Sequence, residues 1–170
     1  MAHFLKSILA EMAVVTALGL LAGPAMADVK IYPAASCNFA TPAFAGRMSV
    51  YNPSFTLSTG VTCPLFREHP TAKPISIVVS VIDNSSLQSG NGAVECFALA
   101  VNRFGTRTSQ GVVVKTTGTN SAGSLLTLPI PAVQFANGAY SVVCTVPRRS
   151  TGDDSSAIAT IRVTEPDPAP

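Results

Sequence analysis

The stretch Phe55-Thr56-Leu57-Ser58-Thr59-Gly60-Val61-Thr62-Cys63 decides the fold, because mostly apolar residues alternate in it with small polar ones. A period of two is typical of a β-strand with one buried face. The pattern predicts a strand over 55–63 that turns Cys63 toward the core. Residues 75–81 repeat the alternation, with isoleucines and valines on one side.

Several further segments have the same character, and Gly, Pro, Asn or Asp bounds each of them. Strand after strand, with no convincing helix between, predicts an all-β protein built as a two-sheet antiparallel β-sandwich. Immunoglobulin-like and jelly-roll topologies both fit. About eight strands are expected, the others lying at 48–51, 94–101, 112–115, 124–128, 139–146 and 157–164.

Residues 1–27 have the three parts of a cleavable signal peptide. A short start with Lys6 precedes an apolar stretch over 12–22, and the small-x-small site Ala25-Met26-Ala27 precedes Asp28. Cleavage is expected between Ala27 and Asp28. The apolar stretch is shorter than the roughly 20 residues that cross a bilayer as a helix, so no transmembrane anchor is expected after cleavage. The predicted location is the periplasm or the extracellular space.

Removal of the signal leaves the length of one ordinary domain, which we place at 28–164. Residues 165–170, Glu-Pro-Asp-Pro-Ala-Pro, are expected to form a flexible proline-rich tail. The chain has 11 Lys and Arg against 9 Asp and Glu, and the basic residues are scattered. Nucleic-acid binding is therefore not expected, because it needs a basic stripe.

The four cysteines agree with export, since disulfides form and persist in oxidising compartments. Four cysteines allow three connectivities, and sequence alone does not choose among them. Neighbours along the chain favour Cys37 with Cys63 and Cys96 with Cys144. A metal site is not expected, because the chain has no C-x-x-C motif and one histidine after cleavage. No cofactor is expected either.

The segments around these cysteines resemble those of a group of small secreted bacterial proteins. The resemblance covers most of the mature chain and implies an exported sandwich with two disulfides. It brings no catalytic residue. It rests on Ser36-Cys37, Val61-Thr62-Cys63-Pro64-Leu65, Val94-Glu95-Cys96 and Tyr140-Ser141-Val142-Val143-Cys144-Thr145-Val146-Pro147.

Two sets of polar residues are candidates for function. His69, in a polar segment between strands, is the histidine that a hydrolase would need as its base, but a solvated loop histidine is the expectation. Arg103 with Arg107, and Arg148 with Arg149, would form an anion-binding patch if their loops shared one end of the sandwich. Solubilising charge on loops is the alternative.

These observations predict a non-catalytic structural or interaction protein of the cell envelope or extracellular space, which self-associates through its apolar surface. The alternative is a monomeric secreted binding module that recognises a sugar, peptide or anion through loops at one end of the sandwich. A secreted hydrolase ranks third. The partner is not predicted beyond self-association or another envelope or extracellular protein.

Overall fold

The computed structural model describes residues 27–67, 73–86 and 92–166, and these form twelve strands and one turn of 3₁₀ helix at Ala34–Ser36. The all-β prediction is confirmed, with more short strands than expected. The strands are β1 Asp28–Pro33, β2 Asn38–Phe39, β3 Phe44–Ala45, β4 Val50–Tyr51, β5 Thr59–Leu65, β6 Ser76–Asp83, β7 Glu95–Val101, β8 Thr108–Gln110, β9 Val114–Lys115, β10 Asn120–Leu128, β11 Ala139–Val146 and β12 Ala157–Glu165.

The strands form two antiparallel sheets of six strands each, which pack face to face as a sandwich. Sheet A has the order β10-β6-β12-β4-β3, and β1 also pairs with β12. Sheet B has the order β2-β5-β11-β7-β8, and β9 also pairs with β7. The long strands β12 and β11 therefore lie in the middle of their sheets, where both edges are paired.

The core lies between the sheets and is built by alternation along each long strand. In β5 every second residue from Thr59 to Leu65 is buried, and in β11 the buried positions are the even-numbered ones from Tyr140 to Val146. Sheet A contributes the opposite wall through β6 and β12, including the fully buried Ile77 and Ile161. Within the described residues, no helix has the length and hydrophobicity needed to cross a membrane.

Both disulfides have the favoured pairing, and both bond to strands of sheet B. Cys96 and Cys144 are direct register partners on β7 and β11, with Cα atoms 4.1 Å apart. Cys37 precedes β2 and bonds Cys63 on β5, with Cα atoms 4.4 Å apart. Neither bond joins the two sheets, so packing, crossing loops and buried polar contacts hold the sheets together. The two disulfides also indicate an oxidising compartment.

The strand prediction for 55–63 is wrong over its first four residues. β5 begins at Thr59, and Phe55 and Leu57 are exposed in the loop before it. The alternation continues upstream of the strand, but Pro53 and the hydrogen bonds of Ser54 fold residues 54–57 into a turn. Phe55 is thereby free to take part in a surface site.

A strand that the sequence did not predict forms at the first residue of the predicted domain. Residues 28–33 form β1, whose partner is β12. β12 in turn runs through Glu165, which is 2% exposed, so the expected tail does not begin at that residue. Glu165 follows Ile161 and Val163 on the inward face of the strand, and Lys30 of β1 lies 3.1 Å from its carboxylate. The remaining tail residues, 167–170, and the predicted signal peptide up to residue 26 lie outside the described residues.

The strand registers define two ends of the sandwich. At one end Val146 pairs with Thr59 in sheet B, and Ala157 pairs with Tyr51 in sheet A. We call this the Asn52 end, after the residue that follows Tyr51. At the other end Tyr140 pairs with Leu65, and we call it the Tyr140 end.

Candidate functional site

Two loops that cross between the sheets meet at the Asn52 end. One spans residues 52–58 and leads from β4 to β5, and the other spans 147–156 and leads from β11 to β12. The backbone N–H of Arg149 donates to the carbonyl of Ser54 at 2.6 Å, which joins the loops directly. The backbone N–H of Asn52 donates to the carbonyl of Ser156 at 3.2 Å. The two loops therefore form one connected surface.

The side chain of Asn52 is fully buried under the two loops and hydrogen-bonds to both of them. Its amide nitrogen lies 2.8 Å from the carbonyl oxygen of Leu57, 3.2 Å from that of Val146 and 3.1 Å from that of Pro147. Its amide oxygen accepts from the backbone N–H of Ser54 at 3.1 Å. One side chain thus satisfies backbone groups of both loops, which buried carbonyls require.

Asp83, at the end of β6, closes the same end of the sandwich and is 1% exposed. Its carboxylate accepts hydrogen bonds from the hydroxyls of Thr116 and Ser156. It also accepts from the backbone N–H groups of Ser85 at 3.1 Å and Val94 at 3.4 Å. Several donors of this kind compensate the cost of burying a carboxylate. Through Ser156, these hydrogen bonds also hold the 147–156 loop in place.

A pocket of about 250 Å³ opens on the surface above Asn52. This volume is just below the roughly 300 to 1,000 Å³ of drug-sized ligand sites, so it suits one small chemical group. Its lining combines an aromatic ring, two guanidinium groups and two hydroxyls. The lining residues are Phe55, Arg148, Arg149, Ser150 and Thr151.

Arg149 is fixed on three sides. Its guanidinium carbon lies 5.2 Å from the centroid of the Phe55 ring, within cation–π distance. Its Nε donates to the carbonyl of Asp153, and its backbone N–H is bonded to Ser54. No carboxylate of the described residues lies within ion-pair distance of Arg149 or of its exposed neighbour Arg148. Among the described residues, no hydrogen-bond acceptor pairs with the terminal nitrogens of Arg149, which leaves them available to a ligand.

Asp153 ties a third loop to this end. The backbone N–H of Ser86 donates to its carboxylate at 2.8 Å and holds the pKa of Asp153 below its usual range. The Ser86 and Ser150 side chains and the positive charge of Arg149 lower this pKa further, while burial opposes them. The acid nearest to Arg149 in sequence is therefore ionised at neutral pH and engaged with the backbone of the 84–86 segment.

The predicted four-arginine patch does not form. Arg103 and Arg107 follow β7, whose last residue Val101 pairs with Ala139 at the start of β11. Arg148 and Arg149 follow the other end of β11. The two pairs lie at opposite ends of the sandwich, because β7 and β11 are antiparallel neighbours.

Other predicted residues are placed as follows. Asp28 is the first residue of β1, and Ala27 before it is exposed. His69 lies outside the described residues. Within the described part of the chain, no group of three or more His, Cys, Asp or Glu side chains could hold a metal ion. Signal cleavage and the role of His69 remain predictions.

Sequence reasoning missed Phe55 and Asn52. Phe55 was assigned to a strand, and Asn52 carries no motif for binding. The dipeptide Asn52-Pro53 did offer a signal, since Asn-Pro marks the start of a turn. It would have ended the strand prediction before Phe55.

The Tyr140 end of the sandwich contains a largely buried cluster of charged side chains. Glu165 lies 3.1 Å from Lys30 and 3.9 Å from Arg67. The Arg67 guanidinium lies over the ring of Tyr140, with its carbon 4.9 Å from the centroid. Burial raises the pKa of the Tyr140 hydroxyl, and the charge of Arg67 opposes that rise. The negative charge of Glu165 lies beside the positive charges of Lys30 and Arg67, which compensates the cost of burying it at this end of the core.

No family model and no curated protein matches the sequence. Solved structures do match at low identity. The family 11 carbohydrate-binding module of a cellulosomal cellulase of Clostridium thermocellum is 10% identical, with 84% of this chain and 89% of that chain covered and a TM-score of 0.41. A family two carbohydrate esterase from Cellvibrio japonicus is 12% identical, with a TM-score of 0.40. The match covers 85% of this chain and 36% of the esterase.

A structure of infectious bursal disease virus is also similar. It is 12% identical, with 81% of this chain and 33% of that chain covered and a TM-score of 0.35. At these identities and TM-scores the three likenesses carry no functional argument.

Proposed function

We propose that this protein is an exported, non-catalytic binding module that holds a small anionic group in the pocket at its Asn52 end. One observation carries the proposal. The guanidinium of Arg149 lies in a concave site, fixed by Phe55 and by the Asp153 carbonyl, with no carboxylate of the described residues within ion-pair distance.

The chemistry of the lining favours an anion. A guanidinium is planar and always charged, and its paired N–H groups match a carboxylate, sulfate or phosphate. Arg148 adds a second positive charge, and the hydroxyls of Ser150 and Thr151 add neutral donors and acceptors. Because Asn52 fixes the loops before the ligand arrives, little ordering cost remains at binding. These features support a preformed site.

A binding role also agrees with the groups that line the pocket. Nucleophilic catalysis by Ser150 or Thr151 would need a base within hydrogen-bond reach, and no histidine or carboxylate of the described residues lines this pocket. Export through the predicted signal at 1–27 accounts for the oxidised cysteines. The proposal therefore places the pocket outside the cytoplasm.

The test is a thermal-shift and calorimetric titration of the oxidised mature protein with galacturonate, sulfate and, as the neutral comparison, galactose. We expect galacturonate or sulfate to stabilise the protein in proportion to ligand saturation, with galactose much weaker. Arg148→Ala with Arg149→Ala should weaken anion binding by at least about 10 to 100-fold, which corresponds to the loss of one charged hydrogen bond of roughly 1.5 to 3 kcal/mol.

Arg47→Ala with Arg162→Ala is the matched control, because both arginines are exposed and neither lines the pocket. It also removes two positive charges and should leave the affinity unchanged. Equal losses from this control variant and the pocket variant would reduce the effect to net charge and would refute the site. No stabilisation by any of the anions would refute the proposed function.

A second candidate is an interaction protein that self-associates through β1, and the exposure of that strand favours it. Val29 is 51% exposed and Ile31 is 62% exposed, and no described strand pairs with the free edge of β1. Light scattering across a concentration series tests it. Concentration-dependent growth that Val29→Lys with Ile31→Lys abolishes would support it, and a monomer at all concentrations would exclude it.

A further inference from the structure

The chain leaves sheet A at the end of the sandwich opposite the pocket. β12 runs from the Asn52 end to Glu165, which lies in the charged cluster of the Tyr140 end. The next residue, Pro166, is partly exposed. The sequence from there is Pro166-Asp167-Pro168-Ala169-Pro170, and we call these residues the acidic tail. The acidic tail is therefore joined to the fold at the Tyr140 end.

The acidic tail combines a carboxylate with apolar rings. Asp167 is the only acid of the whole chain that lies between two prolines, and the acidic tail has no basic residue. A carboxylate matches the paired N–H groups of a guanidinium. Proline-rich segments bind aromatic surfaces at a low cost in chain entropy, because the fixed φ of proline restricts the unbound chain. A partner for this tail would thus present an arginine beside an aromatic ring.

The pocket at the Asn52 end presents these two groups together. Arg148 and Arg149 supply two positive charges, and no carboxylate of the described residues lies within ion-pair distance of either. Phe55 is 54% exposed although the Arg149 guanidinium lies against it, so part of its ring remains open to an apolar partner. The volume of about 250 Å³ is smaller than that of drug-sized ligand sites, which suits a contact of one or two residues.

Asp167 cannot reach the pocket of its own molecule. The nine residues of β12 separate the two ends of the sandwich by about 27 Å, at about 3.4 Å per residue. Asp167 is two residues beyond Glu165, and two residues of extended chain span at most about 7 Å. Only the acidic tail of a second copy can therefore bring this carboxylate to Arg149.

We infer that the pocket binds the acidic tail of a second copy, with the Asp167 carboxylate on Arg149 and a neighbouring proline on Phe55. The inference rests on the proposed function for the charge of the ligand, and it names the partner of the same site. Each molecule has one pocket and one acidic tail at opposite ends, so the contact is head-to-tail. A pair joined in this way keeps one unused pocket and one unused tail, and association continues to an open chain or a closed ring.

The test is a mixing experiment with the oxidised mature protein and two variants. The pocket variant, Arg148→Ala with Arg149→Ala, keeps the acidic tail, and the tail variant, Asp167→Asn, keeps the pocket. In light scattering, the mass of the wild type should increase with concentration, whereas each variant alone should stay monomeric. An equal mixture of the two variants should form a complex of two molecules and no larger one, because each such pair has one working pocket and one working tail.

Competition gives a second readout of the same contact. Galacturonate occupies the pocket under the proposed function, so it should dissociate the wild-type assembly, whereas galactose should not. A peptide of residues 164–170 with an amidated end should also bind the tail variant and dissociate the assembly. The same peptide with Asp167→Asn should bind at least about 10-fold more weakly, since it lacks one charged hydrogen bond.

Two controls separate this contact from other causes of association. Asp154→Asn removes one exposed negative charge, as the tail variant does, and should leave the association intact. Val29→Lys with Ile31→Lys changes the exposed side chains of β1 and should also leave it intact. If the alanine pocket variant does not fold, the corresponding double glutamine variant removes the same charges and keeps long polar side chains. A melting curve checks the folding of every variant.

The outcomes separate this inference from the proposed function. If galacturonate binds at the pocket while the wild type stays monomeric, or while Asp167→Asn leaves the association unchanged, the tail contact is overturned and the proposed function stands. A mixture of the two variants that forms no pair also overturns the tail contact. If galacturonate, sulfate and the peptide all fail to bind, both proposals are overturned.

Discussion

Sheet B and sheet A are of equal strand number but are held in different ways. One disulfide joins the neighbouring strands β7 and β11 of sheet B, and the other joins Cys37, the residue before β2, to β5 of the same sheet. Sheet A contains no cysteine, and its ends are closed by the buried carboxylates of Asp83 and Glu165. The covalent bonds therefore stabilise one sheet internally and do not fix its position against the other.

The pocket lies where the two sheets are connected. Residues 52–58 and 147–156 each cross from one sheet to the other, and Asn52 bonds to both loops. The stability of the fold and the geometry of the pocket therefore have different sources in this molecule. Disulfides should dominate the first, and a single buried amide should dominate the second.

The largest effect is expected from the disulfides. The chain-entropy model assigns about 3.5 kcal/mol to the bond between Cys37 and Cys63 and about 4 kcal/mol to the bond between Cys96 and Cys144, from separations of 26 and 48 residues. Replacing each pair by alanine should lower the free energy of unfolding by about these amounts, as urea denaturation measures.

Reduction of the wild-type protein should reproduce the sum of the two losses. Each single-pair variant should lose only the contribution of its remaining disulfide on reduction, and the variant that lacks all four cysteines should show no response to reductant, which is the internal control. A loss below about 1 kcal/mol for either pair would mean that packing alone holds sheet B.

Asn52→Ala should have a smaller effect on stability but a larger one on the site. It leaves the carbonyls of Leu57, Val146 and Pro147 without their shared donor. We expect a loss of about 2 to 3 kcal/mol, since an unsatisfied buried group costs roughly 1 to 3 kcal/mol and water can reach some of these carbonyls. Anion binding at the pocket should fall in parallel.

The matched control is Asn38→Ala, which truncates an exposed amide on β2. It should change neither the urea midpoint nor the affinity. If Asn52→Ala lowered stability and left anion binding intact, the geometry of the pocket would not depend on the hydrogen bonds of Asn52. The claim that one buried amide sets the site would then be wrong.

The parts of the fold that sequence predicts are those where burial alternates along one strand. β7 and β11 are of this kind, and their bounds lie within one residue of the predicted segments. β1 could not be found in this way. Its inward residues include Lys30 while Val29 and Ile31 face solvent, so the usual pattern is inverted. Its partner β12 lies more than a hundred residues away.

The sequence predicts only part of the candidate site. Sequence placed Arg148 and Arg149 on a loop next to a strand end, because Pro147 and the polar run after it end the strand. Whether Arg103 and Arg107 share that end depends on the order and direction of strands across sheet B. That order is set by packing between distant segments, which local patterns do not contain.

The smallest effect concerns the attachment of the 84–86 segment by Asp153. The pKa of this carboxyl is below its ordinary value of 3.8, chiefly because the backbone N–H of Ser86 donates to the ionised form. A depressed pKa in the folded state means that the contact contributes fully above the unfolded pKa. It is lost as the pH falls through the lower, folded value. We therefore expect the amide signal of Ser86 in NMR spectra to shift only at pH values below about 3.8.

Asp153→Asn should remove that pH dependence without changing the melting temperature, because the carboxylate is exposed and the contact is local. Asp154→Asn, one residue further along the same loop, should leave the Ser86 titration as in wild type. If the Ser86 shift persisted in the Asp153 variant and disappeared in the Asp154 variant, the partner of the Ser86 amide would be Asp154 and this prediction would be wrong. The 84–86 segment would then be held at the Asn52 end without the Asp153 carboxylate, through the contacts of Asn84 with Ser155 and Ser156 and of Ser85 with Asp83.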